Sequence, residues 1–321
     1  MSKSFKYLII SCLASFLFFF GINVMEKGLN SFFYSQALAD QPMILLAQVS
    51  PEQGVGKIEP SASSSEFSLE AKSGISIAID SWGKEKVLFE KNSQEKLPIA
   101  SLSKLMTALV VLDNYDLDKE ITVSKEAVAQ EENFGKLSAG DILSAKYLLF
   151  PLLMESSNDA AYSLANDYPG MREKSFVALM NDKALRPGLE NTSFINSTGL
   201  DPETGTEINL STAKDLAKLI KKLLGRPLIW QILSTPKYSL YGPELINTNK
   251  LLTDSVEWKD KIMGGKTGYT DKAGGCLILF LKAPQNPEFL IINVILGTKD
   301  EASRFEEVKK LVNWLNVSYE W

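Results

Sequence analysis

Histidine is absent from this chain of 321 residues, and cysteine occurs only twice. The lack of histidine excludes Ser-His-Asp and Cys-His catalytic centres, HExxH zinc proteases and histidine-ligated copper or iron sites. Proton transfer near neutral pH is therefore left to Lys, Glu, Asp, Tyr or water. Cys12 lies in an apolar N-terminal run, so only Cys276 remains for the folded part, and no internal disulfide is expected.

Positive charge is also too scarce for a nucleic-acid-binding surface. The chain has 34 Lys and Arg against 39 Asp and Glu, a net charge of −5, so binding of nucleic acid is not expected. The composition, 45% hydrophobic and 23% charged, is that of an ordinary globular protein. The length suits one large domain or two lobes.

The N-terminus has the pattern of an export signal or a membrane anchor. Lys3 and Lys6 precede an apolar run that ends near residue 25, and this pattern sends the downstream chain out of the cytoplasm. The run is about long enough to span a membrane. A signal-peptidase-like Ala-Leu-Ala at 37–39 lies far beyond it, so both cleavage and a retained anchor at residues 1–25 stay open.

A linker is expected between this segment and the folded domain. Residues 50–68 are crowded with Ser, Pro, Gly and Glu, and such a stretch buries too little apolar surface to order itself. We therefore predict a flexible linker over residues 26–72 and a single folded domain over residues 73–321.

Hydrophobic periodicity in that domain predicts strands at both ends with helices between them. This order indicates an α/β unit with a helical insertion. The predicted strands are 75–79 and 87–89, forming a hairpin, and later 262–270, 275–282 and 289–297; the predicted helices are a buried one over 102–112, several between 141 and 224, and a final one over 301–314.

The first motif with chemical content is Ser101-x-x-Lys104 at the start of the buried helix. Residues three apart share a helix face, so the hydroxyl and the amine can meet. A serine needs a base to become a nucleophile, and without histidine a neutral lysine is the available one. Burial and the positive field at a helix N-terminus both disfavour the ammonium form. The competing interpretation is a helix-capping serine beside a solvated lysine.

The second motif is Ser156-x-Asn158, which on its own is also common in turns and caps. Ser156 offers a second hydroxyl that can pass a proton between Lys104 and a leaving amine. The Asn158 amide can hold the backbone of a substrate.

The third motif is Lys266-Thr267-Gly268. Its ammonium and hydroxyl groups can bind a carboxylate, and glycine allows a ligand to lie against the backbone. A phosphate-binding loop is the alternative. It would need glycine where Asp260 stands and a helix after Thr267, whereas the following residues are strand-like.

The order S-x-x-K, S-x-N, K-T-G is the triplet of penicillin-interacting serine enzymes. From about residue 74 to 314 the chain resembles the D-alanyl-D-alanine carboxypeptidases, the low-molecular-mass penicillin-binding proteins of serine peptidase family S11. The resemblance implies an α/β fold of the penicillin-binding-protein (serine β-lactamase-like) type, with an antiparallel sheet flanked by helices and a helical subdomain. It implies no metal or cofactor. It is carried by residues 99–108, 154–161, 247–252 and 265–270.

The resemblance also implies a role for each motif residue. Ser101 is expected to be the acylated nucleophile, Lys104 its base and Ser156 a proton-transfer group. The remaining residues are expected to bind substrate, with the backbone N–H groups of Ser101 and Tyr269 forming the oxyanion hole. These substrate-binding residues are Asn158, Lys266, Thr267, Gly268, Tyr269 and, with a surface role as the alternative, Arg304.

The sequence therefore predicts an extracytoplasmic serine D-Ala-D-Ala carboxypeptidase that acts on peptidoglycan stem peptides and is inhibited by β-lactams. A D,D-endopeptidase that cleaves cross-links is the alternative, because the chain ends just after the final helix and relatives of that type also lack a C-terminal domain. A class A β-lactamase needs a Glu-x-x-x-Asn loop, a pattern in which neither Glu190 nor Glu203 sits. An inactive module that only binds penicillin or peptidoglycan is the alternative from another class.

Overall fold

The computed structural model describes residues 58–61, 66–131, 136–202, 207–239, 243–254 and 256–321. The predicted signal or anchor at residues 1–25 lies outside the described residues. Within the described part of the chain, no helix combines the length and the apolar character needed to cross a membrane.

A five-stranded antiparallel sheet forms the centre of the domain. Its strands are β1 (Ser73–Ile79), β2 (Glu85–Lys91), β3 (Ile262–Thr270), β4 (Gly274–Lys282) and β5 (Leu290–Thr298). They lie in the order β3-β4-β5-β1-β2. The pairing of β5 with β1 brings the two ends of the domain together in the middle of the sheet. The predicted antiparallel sheet, its N-terminal hairpin and its three later strands are confirmed.

Eight α-helices are described, and they cover both faces of the sheet. They are α1 (Lys104–Asn114), α2 (Lys125–Val128), α3 (Ala145–Met154), α4 (Asn158–Tyr162), α5 (Glu173–Leu185), α6 (Ala213–Leu223), α7 (Pro227–Ser234) and α8 (Ser303–Ser318). Short 3-10 turns at Ala100–Ser103, Lys250–Leu252 and Lys259–Lys261 and a π turn at Ser163–Asp167 join them.

Successive side chains of β4 point to opposite faces of the sheet, and each face packs against helices. Leu277 and Leu279 belong to a buried cluster with Phe305 and Leu311 of α8. On the other side of the same strand, the ring of Phe280 lies 4.7 Å from that of Trp230 in α7. The sheet is therefore buried on both faces, and this accounts for its nearly continuous apolar strands.

Minor strand pairs complete the described secondary structure. They join Glu59–Pro60 to Tyr319–Glu320, Leu97–Pro98 to Leu210–Ser211, Glu120–Thr122 to Ile142–Ser144, and Lys237–Tyr238 to Leu245–Ile246.

The N-terminal boundary of the folded part differs from the prediction. The linker was expected to continue to residue 72, yet Leu69 and Ala71 are fully buried in the cluster beneath α8. The backbone N–H of Glu70 also donates to Glu307 Oε2 at 2.7 Å. Apolar contacts and a carboxylate acceptor fix these residues to the domain. The domain therefore includes residues 69–71, which precede the predicted start at residue 73. The other boundaries of the predicted linker stay predictions.

Candidate active site

Ser101 lies in a tight turn that leads into α1. The 3-10 turn Ala100–Ser103 precedes the helix, and Ala100 has a positive φ of 46°. This backbone conformation is unusual for a residue with a Cβ atom and marks a constrained position. The helix thus begins at Lys104, and the turn before it presents the Ser101 side chain at the helix N-terminus.

The amine of Lys104 is surrounded by three oxygen atoms. Its Nζ lies 2.9 Å from Ser101 Oγ, 2.7 Å from Asn158 Oδ1 and 2.5 Å from the carbonyl oxygen of Thr198. The side chain is fully buried. The amide and carbonyl oxygens can only accept hydrogen bonds, so both N–H groups of a neutral amine can point at them. The lone pair then faces the Ser101 hydroxyl, which is the arrangement a base requires.

Ser156 is held in a strained conformation between α3 and α4. Its φ is +63°, and its buried Oγ makes no hydrogen bond with any described residue. The next residue, Ser157, caps α4 by accepting the N–H of Ala160 at 3.0 Å. The cap orients Asn158, whose Nδ2 donates to the carbonyl of Glu131 at 2.9 Å. The unused hydroxyl of Ser156 is thus available to a substrate.

The third motif lies in the strand β3. The side chain of Lys266 is 1% exposed, and its Nζ donates to the Thr267 carbonyl at 3.0 Å. Burial, followed by repulsion from Lys104 and Arg304, holds the pKa of Lys266 well below its usual range. Thr267 Oγ1 lies 2.6 Å from Thr248 Oγ1. An anion at this position would offset the cost of burying the charged form of Lys266.

Arg304 is a buried residue that contacts β3, and a surface role is thereby excluded. The side chain is 3% exposed. Its Nη1 donates to the Gly268 carbonyl at 3.0 Å, and its Nη2 donates to Glu301 at 2.7 Å. The guanidinium therefore stabilises the strand at the point where it borders the site.

Gly268 lets β3 approach Ser101. A Cβ atom at this residue would lie 3.2 Å from the Ser101 nitrogen and 3.1 Å from the Ile99 carbonyl oxygen. The backbone of Tyr269 follows directly, and its phenol lies at the partly exposed edge of the site, 3.4 Å from Asp271 Oδ1. Close contact of these two backbones is what an oxyanion hole shared between them needs.

The motif residues meet around one cavity of about 290 Å³. Lys104 and Lys266 are buried next to its walls. Among the described residues, no group of three Cys, Asp or Glu side chains is placed to hold a metal ion. The cavity is lined by Ser101, Glu155, Ser156, Asn158, Thr248, Thr267, Gly268, Tyr269, Glu301 and Arg304.

A loop around Thr198 completes the site, and sequence reasoning gave it no role. The buried carboxylate of Glu173 accepts the backbone N–H of Ser197 at 2.7 Å, and burial raises the pKa of Glu173. Asn209 Nδ2 donates to Ser103 Oγ at 2.9 Å and to the Asn196 carbonyl at 3.1 Å. These contacts hold the Thr198 carbonyl beside Lys104. A backbone acceptor has no signature in a sequence, so this part was missed.

Comparison with known proteins identifies the family. A family model described as D-alanyl-D-alanine carboxypeptidase matches residues 60–300, which is most of the chain. The chain belongs to this family. The D-alanyl-D-alanine carboxypeptidase family, the fold and the serine peptidase class predicted from the sequence are thereby confirmed.

Three relatives illustrate the similarity. A D-alanyl-D-alanine endopeptidase of Pseudomonas aeruginosa is 34% identical over 72% of this chain and 74% of its own length. The D-alanyl-D-alanine carboxypeptidase DacF of Bacillus subtilis is 33% identical over 80% of this chain and 64% of its own. The structure of penicillin-binding protein D2 from Listeria monocytogenes in its cefotaxime-bound form matches with a TM-score of 0.67 and 28% identity, over 78% of this chain and 99% of that one.

Proposed function

We propose that this protein is a serine D-Ala-D-Ala carboxypeptidase that removes the terminal D-alanine of peptidoglycan stem peptides through an acyl-enzyme at Ser101. The observation that carries the proposal is the position of Lys104, which is buried, lies 2.9 Å from Ser101 Oγ and also contacts Asn158 Oδ1 and the Thr198 carbonyl oxygen. Family membership supports the assignment of the D-Ala–D-Ala peptide bond as the one that is cleaved.

Acylation begins when Ser101 Oγ attacks the carbonyl carbon of the penultimate D-alanine. Lys104 accepts the hydroxyl proton, and the backbone N–H groups of Ser101 and Tyr269 stabilise the oxyanion. The C–N bond then breaks. A proton passes from Lys104 through the free hydroxyl of Ser156 to the nitrogen of the leaving D-alanine.

The terminal carboxylate of the substrate is bound by Lys266 and Thr267. Burial makes the charged form of Lys266 costly, and an arriving carboxylate offsets that cost. Arg304, which lines the same cavity and is fixed by its bond to the Gly268 carbonyl, adds positive potential there. Deacylation follows when water attacks the ester carbonyl carbon and Lys104 accepts a proton from the water. The bond between that carbon and Ser101 Oγ then breaks, Lys104 returns the proton to Ser101 Oγ, and the shortened peptide leaves with a free carboxyl group.

A D,D-endopeptidase activity at the same residues is the second candidate. The observation that favours it is the match with the Pseudomonas aeruginosa relative, which is named an endopeptidase and is covered over 74% of its length, against 64% for the Bacillus subtilis carboxypeptidase. Digestion of purified cross-linked muropeptides separates the two activities. Release of monomers supports the endopeptidase, and release of D-alanine alone supports the carboxypeptidase.

The partners and location follow from the substrate. The cefotaxime-bound relative supports binding of β-lactams by this protein. Peptidoglycan lies outside the cytoplasm, and we propose that residues 1–25 export the chain or anchor it to the outer face of the membrane.

The test is intact mass spectrometry of the protein mixed with benzylpenicillin, followed over time. We expect an adduct that is stable in the wild type and absent in Ser101→Ala, together with D-alanine release from a pentapeptide that is lost in the same variant. Rapid clearance of the adduct would favour β-lactamase turnover. Peptide binding without an adduct or D-alanine release would favour an inactive binding module.

A further inference from the structure

A buried carboxylate oxygen without a partner borders the active-site cavity. Glu155 directly precedes Ser156 and lines the cavity, and its side chain is 7% exposed. Its Oε1 accepts the backbone N–H of Ile246 at 3.1 Å and lies 3.4 Å from Lys136 Nζ. Its Oε2 is buried and makes no hydrogen bond with any residue that the structure describes.

An unpaired oxygen of this kind is costly. A buried acceptor that lacks a partner loses its hydration without compensation, and the loss is larger for an ionised group. The partner that an ionised carboxylate needs is a hydrogen-bond donor, since the group can only accept. A cationic donor forms the strongest such bond. The position of Glu155 at the cavity means that this donor can arrive with the substrate.

We propose that Glu155 Oε2 binds a cationic amine of the peptide substrate and thereby selects peptides that carry a free amine. The inference rests on the proposed function and names the substrate class of that site. The carboxylate acts on substrate choice, and the chemical steps stay with Ser101, Lys104 and Ser156.

The amine belongs to the part of the peptide that stays on the enzyme. The terminal carboxylate of the leaving D-alanine is assigned to Lys266 and Thr267 in β3. A carboxylate at Glu155, in the connection between α3 and α4, repels that anion. The group that Glu155 attracts is therefore a side-chain amine that precedes the cleaved bond, in the half of the substrate that becomes the acyl group on Ser101.

Two other roles for Glu155 must be separated from this one. It could only fix the strand Leu245–Ile246 through the Ile246 N–H, or it could activate the water that hydrolyses the acyl-enzyme. Glu155→Gln retains an oxygen acceptor for the Ile246 N–H and removes the negative charge. The variant therefore preserves the first role and abolishes the electrostatic attraction of an amine.

The experiment compares two peptides, Nα-acetyl-L-Lys-D-Ala-D-Ala and Nα,Nε-diacetyl-L-Lys-D-Ala-D-Ala, which differ in the charge of one amine. Their Kd values are measured by NMR titration on full-length Ser101→Ala protein, with and without Glu155→Gln. D-alanine release is measured on proteins that retain Ser101. The matched control is Glu244→Gln, which removes the same charge outside the cavity, and benzylpenicillin acylation of Glu155→Gln reports that the variant is folded.

We expect the free-amine peptide to bind about tenfold more tightly than the diacetylated one, as for a charge-assisted hydrogen bond. Glu155→Gln should abolish this preference without changing the Kd of the diacetylated peptide, and Glu244→Gln should preserve it. The proposal is overturned by equal Kd values in the parent protein, by an equal loss for both peptides, or by an unchanged preference with slower deacylation. If the wild type releases D-alanine from neither peptide, the proposed function fails, while the Kd ratio still decides the role of Glu155.

Discussion

Two lysines are buried at this site, and their neighbours assign them different tasks. Lys104 contacts a hydroxyl, an amide and a carbonyl oxygen, a set that can use both hydrogens and the lone pair of a neutral amine. Lys266 has one carbonyl acceptor, and its pKa is lowered by burial and then by the nearby Lys104 and Arg304. The contacts of Lys104 suit a base, and those of Lys266 suit a group that binds an anionic ligand. The sequence predicted both residues with these two roles, and the contacts supply a physical reason for each role.

We expect Lys266→Met to stabilise the fold while it weakens substrate binding. The charged side chain is buried with little compensation, and an apolar group of similar length removes that cost, so the free energy of unfolding should rise by roughly 1–3 kcal/mol at neutral pH. The loss of carboxylate binding should raise KM for the pentapeptide. Urea unfolding and steady-state kinetics measure the two effects. Lys272→Met, which replaces an exposed lysine just beyond β3, should change neither.

The pH dependence of the free energy of unfolding gives a second test of whether the charge on Lys266 destabilises the fold. The unfolded chain keeps this proton up to the ordinary pKa of 10.5, and the folded protein releases it at lower pH because burial lowers the pKa. Between these two values the unfolded state binds more protons, so the contribution of Lys266 to stability rises with pH. This rise should be missing in Lys266→Met. If the free energy of unfolding changed with pH equally in the wild type and in Lys266→Met, the charge on Lys266 would not be unfavourable in the folded protein.

At the scale of elements, the main sheet and the helices α1 and α8 could be predicted, whereas the helices α2 and α7 and the connections could not. Period-two and period-three-to-four patterns identified the strands β1 to β5 and the helices α1 and α8. The predicted start of α1 at residue 102 was two residues early, because a 3-10 turn over Ala100–Ser103 precedes the α-helix that begins at Lys104. The contact of Lys104 with Thr198 spans 94 residues, and no local pattern encodes a contact between a side chain and so distant a carbonyl.

The loop that carries Thr198 gives an element-scale prediction. Gly199 has a φ of +86°, and a Cβ atom there would lie 2.1 Å from the Ala100 carbonyl oxygen. Gly199→Ala should therefore displace the loop from the turn that holds Ser101. We expect acylation by benzylpenicillin to slow by about tenfold or more, as for a misplaced reacting group. The adduct is followed by intact mass spectrometry.

Gly188→Ala is the matched control for this substitution. Gly188 also has a positive φ, of +71°, but a Cβ atom there would meet nothing within 4 Å. Both variants carry the backbone cost of alanine at positive φ, about 1 kcal/mol, and only Gly199→Ala adds the clash. Equal acylation rates in the two variants would mean that the loop does not position the nucleophile.

At the scale of the whole molecule, the segment before β1 and the last helix stabilise each other. Phe67 stacks on Trp314 of α8 with ring centroids 5.2 Å apart, and Glu70 is bonded to Glu307 of the same helix. Leu69 belongs to the buried cluster with residues of α8. Composition alone assigned this segment to the linker, because the residues before it are mostly polar. Composition does not show that Phe67, Leu69 and Glu70 pack against α8.

This packing predicts that Leu69 is part of the cooperative core. Leu69 is 1% exposed and its Cδ2 lies against Gly74 in β1, so truncation leaves a cavity between the segment and the sheet. Leu69→Ala should lower the free energy of unfolding by about 2–4 kcal/mol, measured by urea denaturation. Ser68→Ala, at the exposed neighbouring residue, should change it by less than about 0.5 kcal/mol. If Leu69→Ala were as mild as Ser68→Ala, the segment would behave as linker after all, and the domain would begin at β1 as its composition indicated.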